Sequence, residues 1–329
     1  MRTRIAQKSF VALLGALLVS VAAWAQSPPL SAPPAPLNLQ LPPVAVEPPP
    51  GYKAPPTTLE KIRGYGAIYV GHREASIPFS FMDDEGKIYG YSWELCMRIV
   101  DAVKARLELP NLTVVPVLTT PSTRMMMVET GTIDLQCGSE TNTDQRARYV
   151  AFSNTFFVTG VKGMVRKSSG IKTLRDLAGK TVVTTSGTTN DVAAKTAAAR
   201  RNIFVNFRSG RTHLDSFQQV LEGKADVFVL DDILLHGLLA QASEADAYKL
   251  VLLDESMAFE PYGLMFRKGD AEMKKLVDET LLGLMKSGEF ERIYAKWFQS
   301  PIPPKGINLN VPMSAELKQL IKTPNDRGS

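Results

Sequence analysis

Between residues 57 and 298 the chain alternates short apolar runs with stretches of helical periodicity, and several apolar runs stop abruptly in polar residues. That alternation constrains the fold more than any single motif. A strand, helix, strand order builds parallel sheets whose functional ends are the carboxyl ends of the strands. Ile133-Asp134-Leu135 runs into Gln136-Cys137-Gly138-Ser139-Glu140-Thr141-Asn142-Thr143-Asp144-Gln145-Arg146. Short hydroxyls and an amide beside a planar cation form a donor set that suits a carboxylate. Val182-Val183 leads in the same way to Thr185-Ser186-Gly187-Thr188-Thr189, and Ile68-Tyr69-Val70 leads to Gly71-His72-Arg73-Glu74. Three strand ends of one chemistry point to one anion-binding site.

Periodicity and punctuation predict strands over 67–71, 112–117, 133–137, 181–185, 203–207, 227–230 and 262–267. Helices are predicted from Ser92 to 107, from Ser122 to Gly131, and over 174–176, 188–200, 213–222, 276–286 and 290–298. The pattern restarts after Phe152 and resumes its first form near Tyr262, as in one sheet interrupted by a second. The chain is therefore expected to cross between two lobes twice, near 157–161 and near 255–260. Lobes joined in this way close by hinge motion.

The first residues read as a leader. A basic start with Arg2, Arg4 and Lys8 precedes an apolar stretch over 10–21, and Ala23-Trp24-Ala25 is a small-residue cleavage site, with cleavage expected after Ala25. Residues 27–56 hold about half of the 22 prolines with almost no charge, a composition that orders poorly and favours extended polyproline conformations. Roughly 270 residues remain, enough for two units of ordinary size. Net charge is +5, and losing the three basic residues of the leader leaves +2, so nucleic-acid binding has no electrostatic footprint. An exported chain keeps disulfides. Cys96 and Cys137 could bridge or remain two buried thiols, and their spacing is not that of a metal site.

Gly71-His72-Arg73-Glu74, Cys137-Gly138-Ser139 with Thr141 and Arg146, Thr185-Ser186-Gly187-Thr188-Thr189, Asp215-Ser216-Phe217, Asp231-Asp232 and the ending Trp297-Phe298 with Pro301-Ile302-Pro303-Pro304-Lys305 carry a resemblance. Their order and spacing resemble the periplasmic glutamate/aspartate-binding proteins of amino-acid ABC transporters. The resemblance implies an α/β, two-lobed periplasmic-binding-protein fold of type II, each lobe a mostly parallel sheet flanked by helices, with the ligand cleft between lobes. The expected division is a leader over 1–25, the tail over 26–56, lobe 1 over 57–158, lobe 2 over 159–256, the return to lobe 1 over 257–300, and an extension over 301–329 packing on lobe 1.

By the same resemblance Arg146 clamps an α-carboxylate, aided by Thr141 and the helix start at Thr188, where free N–H groups face an anion. Ser139 and Asp231 accept the α-ammonium, with Thr185 beside them. Arg73, Arg124 and His213 hold a side-chain carboxylate. One departure stands out, since the family commonly has Ser three residues before the Arg124 position and here that residue is Pro121; Ser122 or Thr120 is the candidate replacement for its hydroxyl. His72 reads as structural, and Met125-Met126-Met127 as packing.

The expected function is a periplasmic receptor that captures L-glutamate and L-aspartate and presents them to a membrane permease with an ATPase. It is read as a monomer that needs no cofactor or metal. No GxSxG elbow, HExxH or P-loop occurs, and only three histidines are present. The competing classes are an exported dehydratase on the same fold, acting on prephenate-like dicarboxylates, and a ligand-sensing module. A dehydratase would need a general acid where Asp231, Ser139 and Thr185 suit an ammonium.

Overall fold

The computed structural model describes residues 57–329, so the leader, its cleavage site and the proline-rich tail lie outside the described residues. Helix α1 (Thr58–Tyr65) starts with a capping box in which Thr57 and Glu60 satisfy each other's backbone N–H groups, and it leads into β1 (Ala67–His72). The short strands β2 (Ala75–Ser76), β3 (Ser80–Met82) and β4 (Ile88–Tyr89) form a small antiparallel sheet. Then come α2 (Tyr91–Leu107), β5 (Thr113–Leu118), α3 (Arg124–Glu129), β6 (Leu135–Gln136) and β7 (Val150–Phe152).

Strand β8 (Phe157–Arg166) enters a second sheet. There follow β9 (Thr181–Thr185), α4 (Asn190–Arg200), β10 (Asn206–Gly210), α5 (His213–Leu221), β11 (Val227–Asp231), α6 (Asp232–Gln241), α7 (Glu244–Lys249) and β12 (Leu250–Leu252). Strand β13 (Ala258–Tyr262) leads back to β14 (Met265–Arg267), α8 (Ala271–Ser287), α9 (Glu289–Phe298) and α10 (Ala315–Lys322). The first sheet has the order β5-β1-β6-β14-β7 and the second β10-β9-β11-β8-β12, with β13 paired to β8. In the first sheet β1 runs parallel to β5 and β6, and in the second β9 runs parallel to β10 and β11. Each sheet therefore carries its loops at the carboxyl ends of its parallel strands, where the polar runs lie.

The two segments between the sheets pair with each other. Strands β8 and β13 are antiparallel from Phe157↔Tyr262 to Val161↔Ala258, forming a two-stranded ribbon between the lobes. An aromatic cluster anchors its first-lobe end. Phe79 lies 4.9 Å from Phe157 and 5.2 Å from Tyr262 between ring centroids, and Phe298 stacks on Phe157 at 5.1 Å. Burying one such ring contributes roughly 1.5–3 kcal/mol, which fixes the base of the ribbon.

Several local expectations shift. Helix α2 is capped by Gly90 rather than Ser92, whose hydroxyl donates to Phe79 O at 2.8 Å and so ties the helix to the hairpin before it. Helix α3 begins at Arg124, with Thr123 at its N-cap, not at Ser122. The strand predicted over 203–207 pairs only from Asn206, because Ile203 and Val205 instead face the apolar cluster of the second lobe. The run 262–267 breaks into two strands at Gly263, where the chain leaves one sheet for the other and Gly263 N donates to Glu140 O at 3.0 Å. The C-terminal segment touches both lobes: Lys305 Nζ donates to Gln241 O at 2.5 Å on α6, while Thr155 N donates to Asn325 O at 2.8 Å on the first lobe. Its buried Leu317 belongs to the main apolar cluster.

Cys96 and Cys137 form a disulfide joining α2 to the end of β6, and both residues are fully buried. The closed loop spans a sequence separation of 41, for which the chain-entropy account gives about 4 kcal/mol. A Cys96→Ser, Cys137→Ser double variant is expected to melt roughly 10 °C lower. Circular-dichroism melting checks this, and an unchanged Tm would show that the bridge does not constrain the unfolded chain.

Candidate functional site

The polar strand ends meet in the cleft between the two sheets. Beyond β6 the chain runs beside the end of β13, with Asn142 N donating to Pro261 O at 2.8 Å, and this pairing holds Ser139, Glu140 and Thr141 in place. Opposite them the loop after β9 carries Thr188 and Thr189, and β11 ends at Asp231. A small cavity of about 10 Å³ is lined by Arg124, Ser139, Thr141, Thr188, Thr189, Asn190, His213, Leu230, Asp231 and Leu234. His213 also borders a space lined by Arg73, and Thr188 and Thr189 border a groove lined by Arg146. Arg73 thus adjoins the His213 side of the cavity that Arg124, Ser139 and Asp231 line, and Arg146 adjoins its Thr188 and Thr189 side; the charge of Arg124 acts on both other arginines. A larger cavity of about 480 Å³ between the ribbon, α6 and the C-terminal segment has no lysine or arginine in its wall, so it does not suit an anion.

Arg146 is buried and reaches across the cleft. Its Nη1 donates to Thr141 O at 3.0 Å on its own lobe and its Nη2 to Gly187 O at 3.2 Å on the other. A guanidinium has five N–H groups, so Arg146 still has donors for an anion. Burial, then the charge of Arg124, lowers its pKa to about 10, and it stays a cation at neutral pH. Thr188 corrects the predicted helix start. Helix α4 begins at Asn190, and Thr188 forms the turn before it, its hydroxyl and its N–H both donating to Thr185 O. The N–H groups that the helix start leaves free therefore come after Thr188, whose own N–H is used.

Asp231 accepts hydrogen bonds from Asn190 Nδ2 at 2.7 Å and from the Tyr262 hydroxyl. Burial above all, and then the charge of Glu260, pushes its pKa well above the usual carboxylate range. A buried carboxylate with a second acid beside it favours a cation between or beside them. Glu260, on β13, is a site residue that sequence reasoning missed. Its Oε2 accepts from Thr141 Oγ1 at 2.5 Å and from Thr189 Oγ1 at 2.8 Å, one hydroxyl from each lobe. Its only sequence signal was an acid in the predicted crossing segment.

Thr185 departs from its predicted place beside the ammonium acceptors. Its hydroxyl lies 3.0 Å from His213 Nδ1 and 3.0 Å from Ser216 Oγ, which groups it with the histidine end. Burial, then the charges of Arg73 and Arg124, lowers the His213 pKa well below its usual value, so the imidazole is neutral at neutral pH. Arg73 is buried, and its Nε and Nη1 have no hydrogen-bond partner. Burial lowers its pKa to about 9, followed by repulsion from Arg124. Arg124 Nε lies 2.6 Å from Glu140 Oε2, an ion pair in which the N–H is not aligned for a hydrogen bond. Glu140 is the second residue missed, because an acid among hydroxyls reads as solvent-facing.

Of the two candidate substitutes for the hydroxyl at Pro121, Thr120 lines the space beside Arg73 and His213. Thr120 Oγ1 pairs with Thr123 Oγ1 at 3.0 Å, and Ser122 Oγ reaches Ser186 O on the other lobe at 3.4 Å. His72 meets Trp93 edge-on, and Met125 and Met127 pack against an apolar cluster, whereas Met126 points away from it and is exposed rather than packed. Among the described residues no cluster of His, Cys, Asp and Glu could hold a metal ion, and no helix is long and apolar enough to cross a membrane.

Two α/β lobes joined by a paired ribbon, with buried charges facing each other across the cleft, define a solute-binding protein of the periplasmic-binding-protein type. The chain belongs to family 3 of the bacterial extracellular solute-binding proteins, whose model matches residues 68–300. It is 45% identical over 273 residues to the L-glutamate/L-aspartate-binding protein of Pseudomonas aeruginosa, covering 83% of this chain and 90% of the relative. It is 42% identical over 277 residues to the glutamate/aspartate import solute-binding protein of Salmonella typhimurium, covering 84% and 91%. Among solved structures it resembles a mutant of the arginine-binding protein of T. maritima, with TM-score 0.63 and 29% identity, covering 74% of this chain and 99% of that one.

Proposed function

We propose that the protein is a receptor for L-glutamate and L-aspartate in the bacterial periplasm, which delivers them to an ABC permease in the inner membrane. The observation that carries this reading is the set of charges around the cleft. Arg73, beside neutral His213, and Arg146 lie on opposite sides of the cavity, with Asp231 and Arg124 in its wall between them. An acidic amino acid presents matching charges: carboxylate, ammonium, carboxylate. Arg146 pairs with the α-carboxylate, Asp231 and Ser139 with the ammonium, and the unpaired Arg73 donors with the side-chain carboxylate. The names of the two similar proteins agree with this ligand class.

The mechanism is closure around a charge-matched ligand. Contacts to both lobes are complete only in the closed arrangement, so the ligand shifts the population toward it. Calorimetry of the mature chain with a panel of amino acids tests the reading. Glutamate and aspartate are expected to bind more tightly than their amides by about 1.5–3 kcal/mol, or roughly tenfold to a hundredfold and more, because an amide leaves a buried guanidinium without its anion. Equal affinity for arginine, or no binding of either acid, would overturn it.

A further inference from the structure

We infer that Glu140 sets how strongly this receptor prefers an acidic side chain over its amide, an inference that rests on the acidic-ligand reading above. Glu140 follows the strand end that supplies Ser139, yet its side chain does not face solvent. It is fully buried, with Oε2 2.6 Å from Arg124 Nε and Oε1 3.9 Å from Arg73 Nη1. Gln136 Nε2 donates to Oε1 at 3.2 Å. The backbone makes room for this inward turn. A Cβ on Gly138 would lie 2.4 Å from Glu140 Oε1, so a side chain there would displace the carboxylate.

The end of the cleft that reads the ligand's side chain therefore holds two guanidinium groups, one fixed carboxylate and a neutral imidazole. Glu74 also borders Arg73 but is exposed, so solvent screens its charge. Without Glu140 the buried groups at that end would carry two positive charges; with it, one remains to meet one carboxylate. A ligand carboxylate bound to Arg73 and Arg124 has the Glu140 anion across the same guanidinium, and the two anions repel in a site closed to water. A ligand amide is uncharged and is spared that repulsion. The fixed acid thus lowers affinity for glutamate and aspartate while hardly changing affinity for glutamine and asparagine. The selectivity margin is narrower than two arginines alone would set.

Calorimetry on the whole mature protein, with L-glutamate and L-glutamine as probes, separates the outcomes. In Glu140→Gln the glutamine-to-glutamate ratio of Kd values is expected to widen on the order of tenfold to a hundredfold over wild type, mainly through tighter glutamate binding. Glu140→Asp keeps the charge and is expected to stay near the wild-type ratio. Glu140→Met, neutral and of similar volume, serves the same purpose if Glu140→Gln does not fold. A ratio that is unchanged or narrowed in a folded neutral variant overturns the inference and makes Glu140 a positioning residue for Arg124. Failure of the wild-type protein to bind glutamate overturns the receptor reading, and this inference with it; glutamate binding with an unmoved ratio counts against Glu140 alone.

Discussion

Arg146→Ala is expected to weaken glutamate and aspartate alike, by about 3 kcal/mol or more, which is over a hundredfold in Kd. The wild-type guanidinium does two things. It offers charge-assisted donors to a carboxylate, and it joins the lobes by bonding Thr141 O at 3.0 Å and Gly187 O at 3.2 Å. Removing it leaves an α-carboxylate buried without a counter-charge and takes away a bond across the cleft. Because every amino acid carries the α-carboxylate, the loss is expected to be similar for acids and amides. Arg73→Ala serves as the contrast, since it removes the group assigned to the side chain and is expected to narrow the acid-over-amide preference while sparing the α-group contacts. Arg146→Lys keeps the charge but not the two-pronged geometry, and should recover only part of the affinity. Calorimetry of glutamate and glutamine on all three variants decides the matter. If Arg146→Ala bound glutamate within about threefold of wild type, well under 1 kcal/mol, Arg146 would not be the clamp.

The sequence made the elements with continuous apolar runs legible. Strand β9 falls on residues 181–185 as the pattern predicts, and β11 extends the predicted run by only one residue, Asp231. Elements defined by packing rather than by pattern were less legible. Ser92 looks like a helix cap because serine favours that position, yet tertiary structure directs its hydroxyl to Phe79 O. The break at Gly263 is invisible in a run of strand-forming residues, since it comes from the change of sheet.

The same division holds in the site. Arginines and hydroxyls at strand ends are conspicuous, and strand-end chemistry drew Arg73, Thr141, Arg146 and Thr188 to one place. Glu140 and Glu260 were not legible, because their roles depend on partners distant in the chain. Glu140 is buried against Arg124, which comes from a helix on the other side of β6, and Glu260 bonds Thr189 from the second lobe. An acid is ordinarily a solvent-facing residue, and only the assembled cleft supplies the countercharges that keep these two inside. The cysteines illustrate the limit in another way. Burial suits a bridge as well as two thiols, and the bridge follows from where α2 places Cys96 relative to the end of β6.

Gly187→Val is expected to hold the lobes apart and to cost binding about 3 kcal/mol, on the order of a hundredfold in Kd, although no ligand-reading side chain is changed. Gly187 has φ +78°, a left-handed conformation that a β-branched residue adopts only with strain. Space is the second obstacle. A Cβ at this position would lie 2.7 Å from the carbonyl carbon and oxygen of Pro121 and 2.7 Å from Ser122 Cα, all backbone atoms of the opposite lobe. Backbone cannot rotate out of the way as a long side chain can, so relief requires separating the lobes. Separation also removes the Arg146 bond to Gly187 O and the contact of Ser122 with Ser186 O. A ligand that needs both lobes then binds only the fraction of molecules that can still close, and its apparent affinity falls by that fraction. Because the loop after β9 is itself at the cleft, the fold of each lobe should survive, with Tm falling by only a few degrees for about 1–2 kcal/mol of local strain. Small-angle scattering of the chain without its proline-rich tail should give a larger radius of gyration for the variant than for wild type in saturating glutamate. Glutamate affinity within tenfold of wild type, together with an unchanged radius, would show that the cleft closes without this close approach of Gly187 to Pro121.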